Sequence, residues 1–120
     1  MGTILIKRVY APAQQDDGYR VLVDRLWPRG LSKERLGAQE WAKQMAPSTG
    51  LRKAFGHMSE NFPSFRLGYL KELDAHPEGE AFASKVKELL KKGNVTLLYA
   101  AANEQTNHAL VLREWLNARF

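Results

Sequence analysis

The residues best suited to chemistry lie in two short polar segments. The first reads DRLWPRG at 24–30, and its candidate ligand-binding side chains are Arg25, Trp27, Arg29 and the nearby Lys33. Arginine presents permanently charged, forked donors that fit phosphate or carboxylate, and an indole offers a flat face to a ring or a cation. Proline and glycine beside several cations are typical of a binding loop, so the segment predicts an anion site. The alternative is structural: Arg25 pairs with an acid and Trp27 fills the core.

The second segment reads NEQTNH at 103–108 and follows an apolar run. Asn103 or Thr106 is expected to cap the last helix, which would place Asn107 and His108 in or near its first turn. A helix N-terminus disfavours the imidazolium, so a neutral His108 is the candidate general acid or base. Asn107 would orient the substrate. The alternative is a histidine that satisfies a backbone carbonyl.

A third, weaker candidate is His57, an exposed histidine after Phe55-Gly56 at a predicted helix end. His76 precedes a proline and is expected to decorate or cap a helix start. The chain has three histidines and no cysteine, without the spacings of a structural zinc site. No phosphate-binding loop, dinucleotide fingerprint or nucleophile elbow occurs. The sequence therefore predicts no metal and no cofactor.

Three segments are predicted as strands. Thr3–Val9 alternates imperfectly, whereas Tyr19–Trp27 is rich in β-branched and aromatic residues. Val95–Ala100 is continuously apolar, as expected of a central strand covered on both faces. Its penultimate residue, Tyr99, is a further candidate for orienting a substrate.

The chain between the second and third strands predicts four helices. Ser32 is expected to cap a helix that continues through Met45 to Pro47, and Ser48 a short one that stops at Gly56. Asn61 precedes a third helix. The fourth is expected from Pro77 in a first turn to Gly93, and a further helix, after the third strand, from Gln105 to Ala118.

This order of elements predicts an α/β fold. We expect a small single-domain layered fold over residues 1–120, with a short, at least partly parallel sheet flanked by helices. The long helical connection between the second and third strands favours parallel strands, whose carboxyl ends share one edge. Arg25 or Arg29 should then meet His108 in a common cleft, closed on one side by Trp27 or Tyr99.

Charge points to an anionic partner. The net charge is +5, and the first 60 residues hold 10 of the 18 basic side chains but 6 of the 13 acidic ones. A basic surface that serves solubility is the alternative. The apolar run near the N-terminus is too short for a signal peptide or a membrane span, so a cytoplasmic location without membrane contact is expected. The sequence assigns no oligomeric state.

Several segments together resemble a known family. They are KRVY at 7–10, DDGYRVLVDRLWPRGL at 16–31, APSTGLRKAF at 46–55 and TLLYAAANEQTNHALVL at 96–112. In this order they are similar to the bacterial YeaO-like proteins of the domain of unknown function 488 family. The resemblance covers nearly the whole chain and implies a small cytoplasmic α/β domain without an established reaction.

A wider branch of that family differs at the last strand and helix. There the strand ends in Cys-x-Glu and the helix starts with Cys-His-Arg. The corresponding residues here are Tyr99, Ala101, Asn107, His108 and Ala109. Only the histidine is retained, so the resemblance carries over no metal or thiol chemistry.

Three functions follow, one of which is a structural partner protein whose Trp and Arg residues form an interface. The leading prediction is a site for an anionic or phosphorylated small molecule that uses Arg25, Arg29 and His108, whether or not turnover occurs. The alternative is a non-enzymatic nucleic-acid or regulatory binding module, which would use the basic first half. Without a reading element such as a helix-turn-helix, nucleic-acid binding should be weak and non-specific.

Overall fold

A four-stranded parallel sheet forms the centre of the computed structural model, which describes all 120 residues. The strand order is β1-β4-β2-β3, and every neighbouring pair is parallel. The strands are β1 (Ile4–Arg8), β2 (Tyr19–Leu22), β3 (Glu40–Trp41) and β4 (Val95–Tyr99). The α/β class and the parallel sheet predicted from the sequence are confirmed.

β4 is a central strand, as its apolar sequence predicts. It pairs with β1 on one side and β2 on the other, and all five of its residues are buried. Leu97 belongs to the main core and Leu98 to a smaller cluster with Leu22 and Leu36. Successive side chains of a strand point to opposite faces. Both faces of the sheet are therefore covered.

Five helices surround the sheet. They are α1 (Lys33–Leu36), α2 (Thr49–Phe55), α3 (Phe62–Ala75), α4 (Gly79–Leu90) and α5 (His108–Asn117). Helices α2 to α5 bury their apolar residues in the main core, whereas α1 contributes Leu36 to the smaller cluster. Short 3₁₀ turns lie at Gln15–Asp17, Lys43–Met45 and Ser59–Asn61. No helix is long and apolar enough to cross a membrane.

The prediction of a helix from Ser32 through Met45 is wrong. Ser32 does cap a helix, but α1 ends at Gly37, which adopts a left-handed conformation with φ +63°. The chain then extends into β3, which pairs with Val21 and Leu22 of β2. Ala42, at the end of this strand, is fully buried and donates its N–H to the Leu22 carbonyl. The apolar residues thus reach the core through extended chain instead of a helix.

The last helix also begins later than expected. Asn107 is its cap, and its Oδ1 accepts the Leu110 N–H at 3.1 Å. Asn103 caps the preceding turn, where its side chain accepts the N–H groups of Gln105 and Thr106. The expected start at Gln105 is therefore wrong by about one turn, because the two asparagines cap consecutive turns.

The remaining boundaries agree in part. Ser48 caps α2 and Gly56 ends it with φ +56°, both as predicted. β2 ends at Leu22 rather than Trp27, and α4 begins at Gly79 rather than around Pro77. Because β2 ends early, the segment at 24–30 is not part of the sheet and forms a loop.

Candidate functional site

A cleft of about 570 Å³ lies at the carboxyl edge of the sheet. Its lining comes from the segment after β2, from residues 46–57 around α2, and from the segment between β4 and α5. Arg25, Arg29 and His108 all line this cleft. Charged and titratable side chains along it are Asp24, Arg25, Arg29, Arg52, Lys53, His57 and His108.

The wall formed by residues 24–30 is fixed by contacts of its aromatic and backbone groups. Trp27 Nε1 donates to the Leu31 carbonyl at 2.6 Å, and its ring meets Trp41 edge to face with centroids 5.4 Å apart. The Tyr10 hydroxyl donates to the Arg29 carbonyl at 3.1 Å. Pro28 is buried. These contacts hold the loop from which the arginines project.

The opposite wall is held by α3. The Glu72 carboxylate accepts the Ser48 N–H at 2.9 Å and the Ser48 hydroxyl at 2.5 Å. The Tyr69 hydroxyl donates to the Met45 carbonyl at 2.5 Å, and complete burial raises the pKa of Tyr69 so that it keeps its proton. These contacts fix the start of α2, which carries Arg52 and Lys53 at the cleft.

Four cations at the cleft lack an acidic partner. Arg25, Arg29, Arg52 and Lys53 are exposed, and no carboxylate oxygen lies within 4.0 Å of any of them. Arg25 donates to the Pro47 carbonyl at 3.1 Å, which leaves its charge uncompensated. Cations gathered along a concave surface concentrate positive potential there. The arrangement can bind an anion.

The lining carboxylate, Asp24, is engaged with the protein. Its Oδ2 accepts the Ala100 N–H at 3.0 Å, and its Oδ1 lies 2.9 Å from His108 Nε2, outside hydrogen-bond geometry. His108 Nε2 also lies 3.2 Å from the Val23 carbonyl, an oxygen that can only accept. Nε2 therefore carries a hydrogen toward that carbonyl. The ring atom left for a ligand is Nδ1.

A carboxylate lies beside His108. The histidine is the first residue of α5, and Asp24 Oδ1 lies 2.9 Å from its Nε2. The sequence prediction considered only the helix terminus. It did not include this contact between the segment after β2 and the start of α5.

Two of the predicted site residues lie outside the cleft lining. Tyr99 is 2% exposed and packs in the main core, and burial raises the pKa of its phenol. Lys33 is exposed on α1. Asn107 lines the cleft, but its side chain caps α5 and donates to the Asn103 carbonyl at 3.0 Å. A structural cap leaves this side chain little freedom to orient a substrate.

His57 lines the cleft in an unusual backbone conformation. Its φ is +59°, which is uncommon for a residue other than glycine, and it follows Gly56, whose φ is also positive. The ring lies 5.9 Å from that of Phe55. Consecutive left-handed residues turn the chain sharply after α2 and bring this histidine to the cleft.

Sequence reasoning missed Arg52 and Lys53. Both occupy the exposed side of a short helix whose Leu51 and Phe55 point inward. Adjacent cations opposite an apolar stripe are a visible signal. Their placement at the sheet edge depends on the contact between Ser48 and Glu72, which joins residues 24 positions apart.

Fold and site together define a small α/β protein with a cation-lined cleft at the ends of parallel strands. Residues 3–120 match the model of the inactive DUF488-N3 subclade, and the chain belongs to this family. It is 50% identical over 115 residues to the uncharacterized protein YeaO of Escherichia coli (strain K12), covering 96% of this chain and 97% of that protein. The family predicted from the resemblance is thereby confirmed.

A mycobacterial relative is more distant. The uncharacterized protein Rv3073c of Mycobacterium tuberculosis (strain ATCC 25618 / H37Rv) is 36% identical over 116 residues, covering 97% of this chain and 95% of that protein. No solved structure matches the chain.

Proposed function

We propose that this protein binds a small anionic ligand, phosphorylated or carboxylated, in the cleft at the carboxyl edge of its sheet. The observation that carries the proposal is the set of four cations without acidic partners, contributed by two separate walls. Arg25 and Arg29 come from one wall, and Arg52 and Lys53 from the other. Within this proposal, residues 1–120 act as one cytoplasmic domain.

Binding without turnover fits the site better than catalysis. The family is described as an inactive subclade, and Tyr99, Ala101 and Asn107 stand where the wider branch has Cys, Glu and Cys. His108 holds a backbone carbonyl through Nε2. In the proposal this bond holds the start of α5 against the end of β2, and Nδ1 can only accept a hydrogen bond from the ligand. The same Nδ1 is the atom that a general base role would require.

Calorimetric titration with inorganic phosphate and pyrophosphate tests the proposal. Arg29→Ala and Arg52→Ala each remove one cation, one from each wall, and neither side chain makes a hydrogen bond or ion pair within the protein. Loss of one charged donor should weaken pyrophosphate binding about tenfold.

The matched control is Arg35→Ala. Arg35 is an exposed arginine of α1 outside the cleft lining, so its removal subtracts the same net charge elsewhere. Binding should be unchanged in this variant. Equal weakening in all three variants would assign the affinity to overall charge and contradict a built site, as would the absence of binding in the unmodified protein.

A further inference from the structure

We infer that the ligand is a nucleotide carrying two or three phosphates. The inference rests on the proposed anion site and names the chemical class of its ligand. Two features of the cleft support it. One wall has an aromatic surface, and the cleft has more positive charges than a single carboxylate or phosphate group would need.

The charges indicate more than one anionic group. Two side chains from each wall carry positive charge, and His57 also lines the cleft. A lone carboxylate would leave most of these groups mutually repelling. A di- or triphosphate spans several ångströms and can contact cations on both walls at once.

Trp27 supplies a surface for a base. Its indole N–H is already bonded to the Leu31 carbonyl, and its ring is braced edge to face by Trp41. The ring is therefore fixed before any ligand arrives, which lowers the entropic cost of stacking. It lies in sequence between Arg25 and Arg29, so the base and the phosphates would use the same wall. Carboxylic acids without a ring would leave this surface unused.

The rest of the cleft fits one nucleotide better than a nucleic-acid strand. Tyr10 also lines it, but the Arg8 guanidinium lies 5.3 Å from the centre of its ring and covers one face. Phe55 and Phe65 are buried at its base. Strand binders stack successive bases on several aromatic rings. Here Trp27 is a half-buried ring that packs against the smaller cluster and also lines the cleft, with no cation stacked over it. A volume of about 570 Å³ suits one small molecule.

The test compares ligands that differ in their organic part. Calorimetry with pyrophosphate, ADP and adenosine is carried out on the unmodified protein, on Trp27→Leu and on Trp41→Phe. ADP should bind about tenfold more tightly than pyrophosphate, since stacking one base on an aromatic side chain contributes an advantage of that size. Trp27→Leu should abolish the advantage and retain pyrophosphate binding. Trp41→Phe keeps a ring against Trp27 and should preserve the ratio.

The outcomes separate this inference from the proposed function. Equal affinity for ADP and pyrophosphate overturns the nucleotide assignment and leaves the anion site intact. No binding of either overturns both. A preserved ADP advantage in Trp27→Leu refutes the stacking role. If that variant fails to fold, the comparison of ADP with pyrophosphate on the unmodified protein still decides the ligand class.

Discussion

Asp17 is the most deeply buried charged residue of the molecule, and it lies outside the cleft. It is 2% exposed. Its Oδ1 accepts from Lys7 Nζ at 2.7 Å, and its Oδ2 from Arg20 at 2.5 Å and from the Gln14 N–H at 3.0 Å. The Thr96 hydroxyl donates to its carbonyl. The carboxylate thus joins the loop before β2 to β1 and β2, and the backbone carbonyl of Asp17 adds a contact with β4.

Replacement of Asp17 by Asn should destabilise the fold. The variant leaves Arg20, itself 5% exposed, without a counter-charge in the interior. Breaking a buried pair by removing one partner costs about 3–5 kcal/mol. Urea denaturation would measure the loss in free energy of unfolding. Asp16→Asn, at the exposed neighbouring position, is the control and should change it by less than about 0.5 kcal/mol.

The stability of the unmodified protein and that of Asp17→Asn should depend differently on pH. Burial raises the pKa of Asp17, but the bonds from Lys7, Gln14 and Arg20 outweigh burial and hold the pKa below its ordinary value of 3.8. A lowered folded-state pKa gives stability that is fully present above the unfolded pKa and is lost as the pH falls through the folded pKa. The advantage of the unmodified protein over Asp17→Asn should therefore shrink below about pH 4. A constant difference down to pH 2 would contradict the assignment.

Among the elements, the segment 32–45 shows where sequence periodicity misleads. Ala38, Ala42 and Met45 recur at helical spacing, yet the chain after Gly37 is extended and joins the sheet as β3. Periodicity records which residues are buried. It does not show that the edge of β2 offers hydrogen-bond partners to this segment. Gly37 was the available signal, since a glycine after four helical residues is typical of a helix end.

Gly37→Ala should destabilise the protein by about 1 kcal/mol. The φ of +63° is unfavourable for alanine, while the nearest atom to an added Cβ is 3.9 Å away. The effect is therefore conformational and not steric. Gly50→Ala, in α2 with open space around it, should be neutral or stabilising. Thermal unfolding of both variants tests the pair, and equal loss in both would argue against a left-handed requirement at Gly37.

The central strand was predictable because it is apolar throughout and lies between polar segments. Leu97→Ala and Leu98→Ala remove fully buried side chains on opposite faces of β4. Each should cost about 2–5 kcal/mol, with the larger loss where the surroundings collapse least. Denaturant titration measures both. An unchanged unfolding midpoint in Leu98→Ala would show that the smaller cluster contributes nothing to stability.

At the scale of the whole molecule, parallel topology explains why half of the site could be predicted. The long connection from β2 to β4 favours parallel strands, and parallel strands bring Arg25, Arg29 and His108 to one edge. The other wall follows from contacts distant in sequence. Glu72 of α3 holds Ser48, and this contact brings α2 and its cations to the cleft. No local pattern around Arg52 encodes that placement.

The distribution of charge predicts how the molecule binds nucleic acid. Its four unpaired cleft cations lie together, and each can neutralise one phosphate. Duplex DNA should therefore bind without sequence preference, with a dissociation constant of about 1–100 µM at physiological salt and a slope of about −3 to −4 for log affinity against log salt. Fluorescence anisotropy with two unrelated duplexes measures both quantities. Arg52→Ala should reduce the slope by about 1, whereas Arg35→Ala should leave it unchanged if the cleft is the contact surface. Tight binding to one of the duplexes alone would favour a nucleic-acid reader over the small-molecule site.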